Sequence, residues 1–474
     1  MANRDARCML IFGTHRIGTG PPDARSISPP GGGLPVDAGT GGNAMRPIVI
    51  ALLMLTSLSG CARGALNIDC PSFETMRRDL PYSQLEREIH GETATPPAEN
   101  ADQSELTERV EATLPSEAEM ADPSTPTPTP VLLLLSGGGQ WGAFGAGYLN
   151  ELRLRSELPE FTVITGVSTG GLQSMFIAVA TTEAYDGLLR AYDPARESDV
   201  VDRNPTWQAA FRGSVAGLAP LRRRIEAALC PDDLIDIPES RCMLDGLRRL
   251  KGRKTVLIGF VNAETGRFQY VDAVDLAQLP RREARSCLTG AALASAAMPV
   301  FFQQVRINGV AYYDGGVRSS VFEASVAHTA ALVTERREIL DALYNRIWRD
   351  REARLPIYVV RNGPTTVQPD PDVNRQSGAL TAAMRAEGIV VNQLEVGSIA
   401  ALRIEHPRGP LLLVTADGWD SAGCVKPGGG AMFDKDFMNC LTRFGAAKAR
   451  APSPWISLSQ LPLHGDTDVQ PPDS

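Results

Sequence analysis

Five consecutive apolar residues, Val131-Leu132-Leu133-Leu134-Leu135, run straight into Ser136-Gly137-Gly138-Gly139. A run this short, stopped by glycines, is the pattern of a strand buried on both faces. A helical stretch over 143–155 follows it. Phe161-Thr162-Val163-Ile164-Thr165 is a second such strand, and 172–180 reads as an apolar helix. Strand, helix, strand, helix predicts an α/β fold with a central, mainly parallel sheet sandwiched between helices. Two hairpins extend it. Residues 255–261 and 268–271 flank Glu264-Thr265-Gly266, and Val305-Arg306-Ile307 and Val310-Ala311-Tyr312 flank Asn308-Gly309, the strongest short hairpin signal. Residues 356–360 form another buried strand, ended by Asn362-Gly363-Pro364.

The stretch Gly137-Gly138-Gly139-Gln140-Trp141-Gly142 fits the dinucleotide pattern GxGxxG. That reading requires an acidic residue at the end of the second strand. Thr165-Gly166-Val167-Ser168 stands there instead, so the nucleotide reading fails. What remains is physical: glycines let backbone N–H groups approach a ligand, and a helix N-terminus behind them favours negative charge. A phosphate or the oxyanion of an acyl-transfer intermediate fits, and so does a tight turn with no ligand. The second strand ends in Gly166-Val167-Ser168-Thr169-Gly170, a GxSxG motif. Alone it is weak. Between a buried strand and an apolar helix it has the context of a nucleophile elbow, in which Gly166 and Gly170 leave room for the turn that exposes Ser168.

A serine nucleophile needs a base, and the chain has only five histidines: His15, His90, His328, His406 and His464. The order Ser168, Asp314, His406 mimics an α/β-hydrolase triad. Against it, the glycine run precedes Ser168 by only one helix and one strand, His406 sits in a turn-like Glu405-His406-Pro407, and His328 lies on a helical stretch. Asp314 is the better candidate. The Asn308-Gly309 hairpin delivers it at a strand end, and Gly315-Gly316 follow. A plain Asp-Gly-Gly turn is the alternative. A free aspartate is a weak base, with a pKa of about 3.9, and serves only if burial or the forming oxyanion raises its proton affinity.

Four motifs in this order carry a family resemblance: Ser136-Gly137-Gly138-Gly139, Gly166-Val167-Ser168-Thr169-Gly170, Ala294-Ser295-Ala296-Ala297-Met298-Pro299-Val300-Phe301-Phe302 and Asp314-Gly315-Gly316. Together they resemble the patatin-like phospholipases over roughly 130–320. The resemblance implies a Ser168–Asp314 dyad without histidine, an oxyanion hole from Gly137, Gly138 and Gly139, and hydrolysis of lipid acyl esters. No CxxC or Cys/His cluster suggests a metal site, and acyl transfer to water through an acyl-serine needs no metal or organic cofactor. Many members carry Arg or Lys within the glycine motif, where this chain has Gln140-Trp141. A neutral lipid or simple ester gains plausibility as substrate, alongside phospholipid. Arg318 is a candidate replacement cation, although an exposed surface arginine is its plainer reading.

The flanks carry targeting and linker signals. Residues 1–44 hold nine Gly and five Pro and read as a disordered leader or an over-called start. From Met45, one arginine, the apolar run of 48–55 and Leu58-Ser59-Gly60-Cys61 form a short secretory signal over 45–60. The ending resembles the lipobox of bacterial lipoproteins, which implies lipidation of Cys61 and a place in the cell envelope, outer membrane rather than inner. Residues 61–130 read as an acidic, Pro-rich tether, with nine Asp or Glu between Glu92 and Asp122. The catalytic domain is expected over 131–450 and a disordered tail over 451–474. The net charge of −8 leaves no basic footprint, so nucleic acid is not an expected partner, whereas a lipid and a membrane are. Beyond Cys8 and Cys61 six cysteines remain. Their even number suits an exported protein, and Cys230/Cys242 and Cys424/Cys440 are the simplest pairs.

Overall fold

The computed structural model describes residues 64–80, 82, 89, 131–205, 214–238, 242–322, 356–367, 369, 378–406, 409–427 and 431–459. All of them lie in the compact unit Ser57–Ser474. The leader, the signal segment, Cys61 and His328 lie outside the described residues.

In chain order the elements are β1 (Leu66–Ile68), α1 (Phe73–Met76), β2 (Arg78–Asp79), β3 (Leu132–Leu135), α2 (Gly142–Leu154), β4 (Val163–Val167), α3 (Thr169–Val179) and α4 (Thr182–Ala191). Then come β5 (Asp202–Arg203), β6 (Ser214–Gly217), α5 (Ala219–Leu229), α6 (Met243–Arg248), β7 (Thr255–Asn262), β8 (Phe268–Asp272), α7 (Ala273–Gln278) and α8 (Arg281–Ser295). The last are β9 (Val300–Phe302), β10 (Val305–Ile307), β11 (Val310–Asp314), β12 (Ile357–Arg361), α9 (Ala379–Glu405), β13 (Leu411–Thr415), α10 (Lys435–Ala449) and β14 (Ile456–Ser457). Among the described residues the helices and strands expected from periodicity are present, with bounds within three residues of those expected.

The main sheet runs β1-β10-β11-β7-β4-β3-β12-β13-β14, with β8 beside β7 and β2 beside β8. Its centre, β7-β4-β3-β12-β13, is parallel throughout. Antiparallel pairing is confined to β11, β8, β2 and β14 and to the hairpin of β10 with β11. The four leucines of β3 are wholly buried because alternate side chains enter different cores: Leu133 and Leu135 join one, Leu132 and Leu134 the other. The first core is covered by α1 to α8 and α10. In the second, α9 is the one helix among the described residues, and it contributes Ile399 and Leu402. The Asn308-Gly309 turn has φ of 51° and 89°, the doubly positive geometry of a type I′ hairpin.

Two expected boundaries shift. The tether does not begin at 61. Leu66–Ile68 pairs in parallel with β10, Phe73 is buried between Phe260 and Tyr312, and Cys70 is disulfide-bonded to Cys287 of α8. An apolar ring and a long-range cross-link outweigh the low apolar content of the surrounding segment. The fold also continues past 450: Ile456 pairs with Leu413, and Trp455 packs edge-on against Tyr148 and Tyr358. The local pairs Cys230–Cys242 and Cys424–Cys440 are both formed.

Candidate active site

Ser168 stands between β4 and α3 with φ 55° and ψ −123°, a conformation that L-residues rarely adopt. Such strain persists only where the surroundings enforce it. Here they are tight. A Cβ on Gly166 would lie 2.2 Å from the Gly170 carbonyl oxygen, and one on Gly170 would lie 2.2 Å from that of Leu135. Only glycine fits at either place. The turn is also tied from α8, whose Ser295 hydroxyl accepts the Ser168 N–H at 2.7 Å and donates to the Gly259 carbonyl at 2.6 Å. Ser295 lies in a motif the sequence singles out, but its role as a clamp needs the long-range geometry.

Asp314 ends β11 and is 1% exposed. Its Oδ1 accepts the Gly316 N–H at 2.8 Å. Its Oδ2 is buried and has no partner at full hydrogen-bond geometry. Burial pushes the carboxyl from 3.8 up to about 7, opposed by the Ser168 hydroxyl and the Gly316 N–H. The Ser168 contact thus acts on Asp314 while falling short of a well-aligned hydrogen bond, which is common for catalytic pairs without substrate. A carboxylate that holds its proton near neutrality is a far better base than a free one.

The glycine run lies against the elbow. A Cβ on Gly137 would be 3.3 Å from the Ser168 Cβ. Gly138 has φ 143° and its Cβ would lie 1.9 Å from the Asn362 carbonyl oxygen, so glycine is required there twice over. Gly139 has φ 57° and opens, with Ser168, onto a cavity of about 950 Å³. Behind the run is a buried amide network. Asn362 donates from Nδ2 to the Ser136 carbonyl and to Gln173 Oε1, both at 2.9 Å, and its N–H donates to the Ser136 hydroxyl. Gln173 Nε2 donates to the Gly142 carbonyl at 2.7 Å. Neither Asn362 nor Gln173 is legible as a site residue in sequence, because Asn362 bonds Ser136 across 226 positions and Gln173 across 189.

Gln140 and Trp141 have structural work where the resembled family often has a cation. Gln140 Oε1 accepts the N–H of Asp434 at the start of α10, and Trp141 packs against Trp419 and Phe437. Arg318 does not replace that cation. It donates to the Gly266 carbonyl and lies over the Tyr82 ring. His406 is the C-cap of α9, where its carbonyl accepts from Arg403 Nη1, and it is not among the groups acting on Asp314.

The cavity follows α3. Leu172, Met175, Phe176 and Val179 line it at spacings of three and four from Ser168, along the whole 11-residue helix. That is about 16 Å at 1.5 Å per residue. Leu221, Ile225, Met243, Phe302 and Phe433 contribute to the opposing walls.

The family model of patatin-like phospholipases matches residues 133–327. No curated protein matches the chain. Among solved structures, the crystal structure of VipD from Legionella pneumophila aligns at 13% identity and a TM-score of 0.30, covering 70% of this chain and 68% of that one. The stretch that carries the glycine run, the elbow and Asp314 is therefore a patatin-like phospholipase domain by sequence, over residues 133–327.

Proposed function

We propose that the protein is a serine acyl hydrolase that cleaves lipid acyl esters, with Ser168 as nucleophile and Asp314 as its base. The observation that carries this is the junction of a strained, buried serine, a partnerless buried carboxylate oxygen and an apolar cavity at one point. Asp314 takes the Ser168 proton as the oxygen attacks the acyl carbonyl, and the backbone N–H groups of Gly137, Gly138 and Gly139 hold the oxyanion. Collapse passes the proton to the departing alcohol and leaves an acyl-serine. Asp314 then takes a proton from water as water attacks, and the acid leaves with the serine restored. The cavity supports a long acyl chain: an extended chain advances about 1.2 Å per bond, so the length of α3 holds roughly thirteen bonds. Either a phospholipid or a neutral lipid meets these demands.

The same reading extends to location. Three disulfides favour an oxidising compartment, and with the lipobox-like ending they support a bacterial envelope protein anchored through a lipid on Cys61. Intact mass of membrane-extracted protein should show a lipidated Cys61 at the N-terminus, and an unmodified cysteine there would overturn it. For the chemistry, fluorophosphonate should label wild type and leave Ser168→Ala unlabelled. Asp314→Asn should fold and lose hydrolysis by about 10²–10⁴. If His406→Ala or His328→Ala is equally inactive and equally folded, a triad replaces the dyad.

A further inference from the structure

The helix α9 brings a second carboxylate to the dyad, one for which the proposed chemistry has no role. Glu395 is 5% exposed, and several contacts locate it. Its Oε2 is 2.7 Å from Nη2 of Arg361, at the end of β12. Its Oε1 is 3.7 Å from the point where a side chain on Gly137 would begin, and that point is 3.3 Å from the Ser168 Cβ. On the other side, the corresponding point on Gly316 is 3.1 Å from both Asp314 Oδ1 and the Ser320 hydroxyl, and Ser320 is a hydrogen-bond partner of Glu395, though short of ideal geometry. Glu395 thus sits between the glycine run and the turn that carries the base.

Arg361 is 1% exposed and shares itself between Glu395 and the Pro364 carbonyl. Two carboxylates in one dry space do not both ionise readily, and a cation beside one decides which loses its proton first. Arg361 is paired with Glu395, at 2.7 Å. We propose that Glu395, fixed by Arg361, is a positioning residue that keeps negative charge beside Asp314 and so makes Asp314 a stronger base.

Glu395 and Asp314 are coupled: burial pushes Glu395 up to about 7 and the Asp314 charge adds to that, whereas Arg361 and Ser320 favour its ionised form. Glu387, earlier on α9, is also pushed up to about 7 by burial, with Asp314 adding. The groups facing Asp314 are therefore Ser168 and the Gly316 N–H nearby, Glu387 and Glu395 from α9, and, behind Glu395, Arg361, itself near Asp417. The carboxyls of Asp314, Glu387 and Glu395 titrate as a set, and the activity profile reports the set.

This inference rests on the Ser168–Asp314 reading, and its test keeps the two apart. The full chain is followed from pH 5 to 9 by the rate of fluorophosphonate labelling and by kcat/KM for p-nitrophenyl laurate. Wild type should rise with an apparent pKa near 7. Glu395→Gln should move that rise down by about one pH unit, so that labelling at pH 6 gains several-fold, while the alkaline plateau falls because the base is weaker. Glu395→Asp should restore much of the wild-type profile. The paired variant Arg361→Met with Glu395→Gln leaves no lone buried charge, so it decides the matter if Glu395→Gln alone fails to fold, and it should show the same downward shift. Profiles of the folded variants that overlay the wild type overturn the proposal. Undiminished labelling of Ser168→Ala overturns the dyad instead.

Discussion

The two faces of the central sheet are built differently. On one, nine helices among the described residues bury a continuous core, and the disulfides Cys70–Cys287 and Cys230–Cys242 tie helices or the N-terminal arm to it. On the other, the described cover is α9, whose buried residues at 395, 399, 402 and 403 include a glutamate and an arginine, while Ile389 and Val390 are 45% and 56% exposed. The thick face holds Ser168, the proposed nucleophile, and the apolar cavity. The thin face supplies the charges around Asp314, the proposed base. Covalent geometry that must stay strained is thus placed in the densely packed half, and proton affinity is set from the half that is more polar.

The largest effect that would sharpen this contrast is a trade of activity for stability at the base. The Asp314 carboxyl is raised in the fold from 3.8 to about 7, so its contribution is most favourable at acid pH and is lost as pH rises through 7. Asp314→Asn should therefore be nearly inactive yet more stable than wild type above pH 7, by on the order of a few kcal/mol, with the gain vanishing below pH 4. Thermal unfolding at pH 4 and pH 8 checks this. An equal change at both would place the stability effect elsewhere.

Next, removing Cys70–Cys287 by the double change to Ser should cost about 2–5 kcal/mol in denaturant unfolding, because the cross-link spans 217 positions. An unchanged midpoint would show that the thick face does not depend on its arm. Within the cavity, Met175→Trp should cut kcat/KM for long-chain p-nitrophenyl esters about tenfold and spare the acetate, since Met175 lines the channel beyond the reacting carbonyl. Equal loss on both esters would place the acyl chain elsewhere. The smallest effect belongs to the thin face: Ile389→Ser should shift stability by no more than about 0.5 kcal/mol. A larger loss would mean that this part of α9 is covered.

Much of the central architecture can be read locally. The leucine run, the glycines and the apolar helix after Ser168 fix β3, β4 and α3, because period and turn chemistry suffice for them. Asp314 is legible because a hairpin signal ends on it. Ser295, Gln173, Asn362, Arg361 and Glu395 are not, since each gains its meaning from a partner brought close by the parallel sheet and its crossovers. Glu395 in particular sits in a helix whose neighbours along the chain are exposed or half-buried, so nothing there marks it as buried. The N-terminal arm is missed for a related reason: three strand residues and one phenylalanine make no pattern until β10 and Phe260 stand beside them.

That arm alters the scale on which the enzyme would meet its substrate. With β1 starting at Leu66, the lipid proposed on Cys61 would be separated from the sheet by residues 62–65 alone, a leash of at most about 18 Å. The acidic run of 91–130 then falls between two fixed points, Leu80 and Val131, and sets no distance to a membrane. With the proposed anchor and activity, so short a leash would confine the protein to the lipid leaflet it is moored to. Its reach would be lengthened by inserting residues before Leu66, and left unchanged by shortening the acidic run.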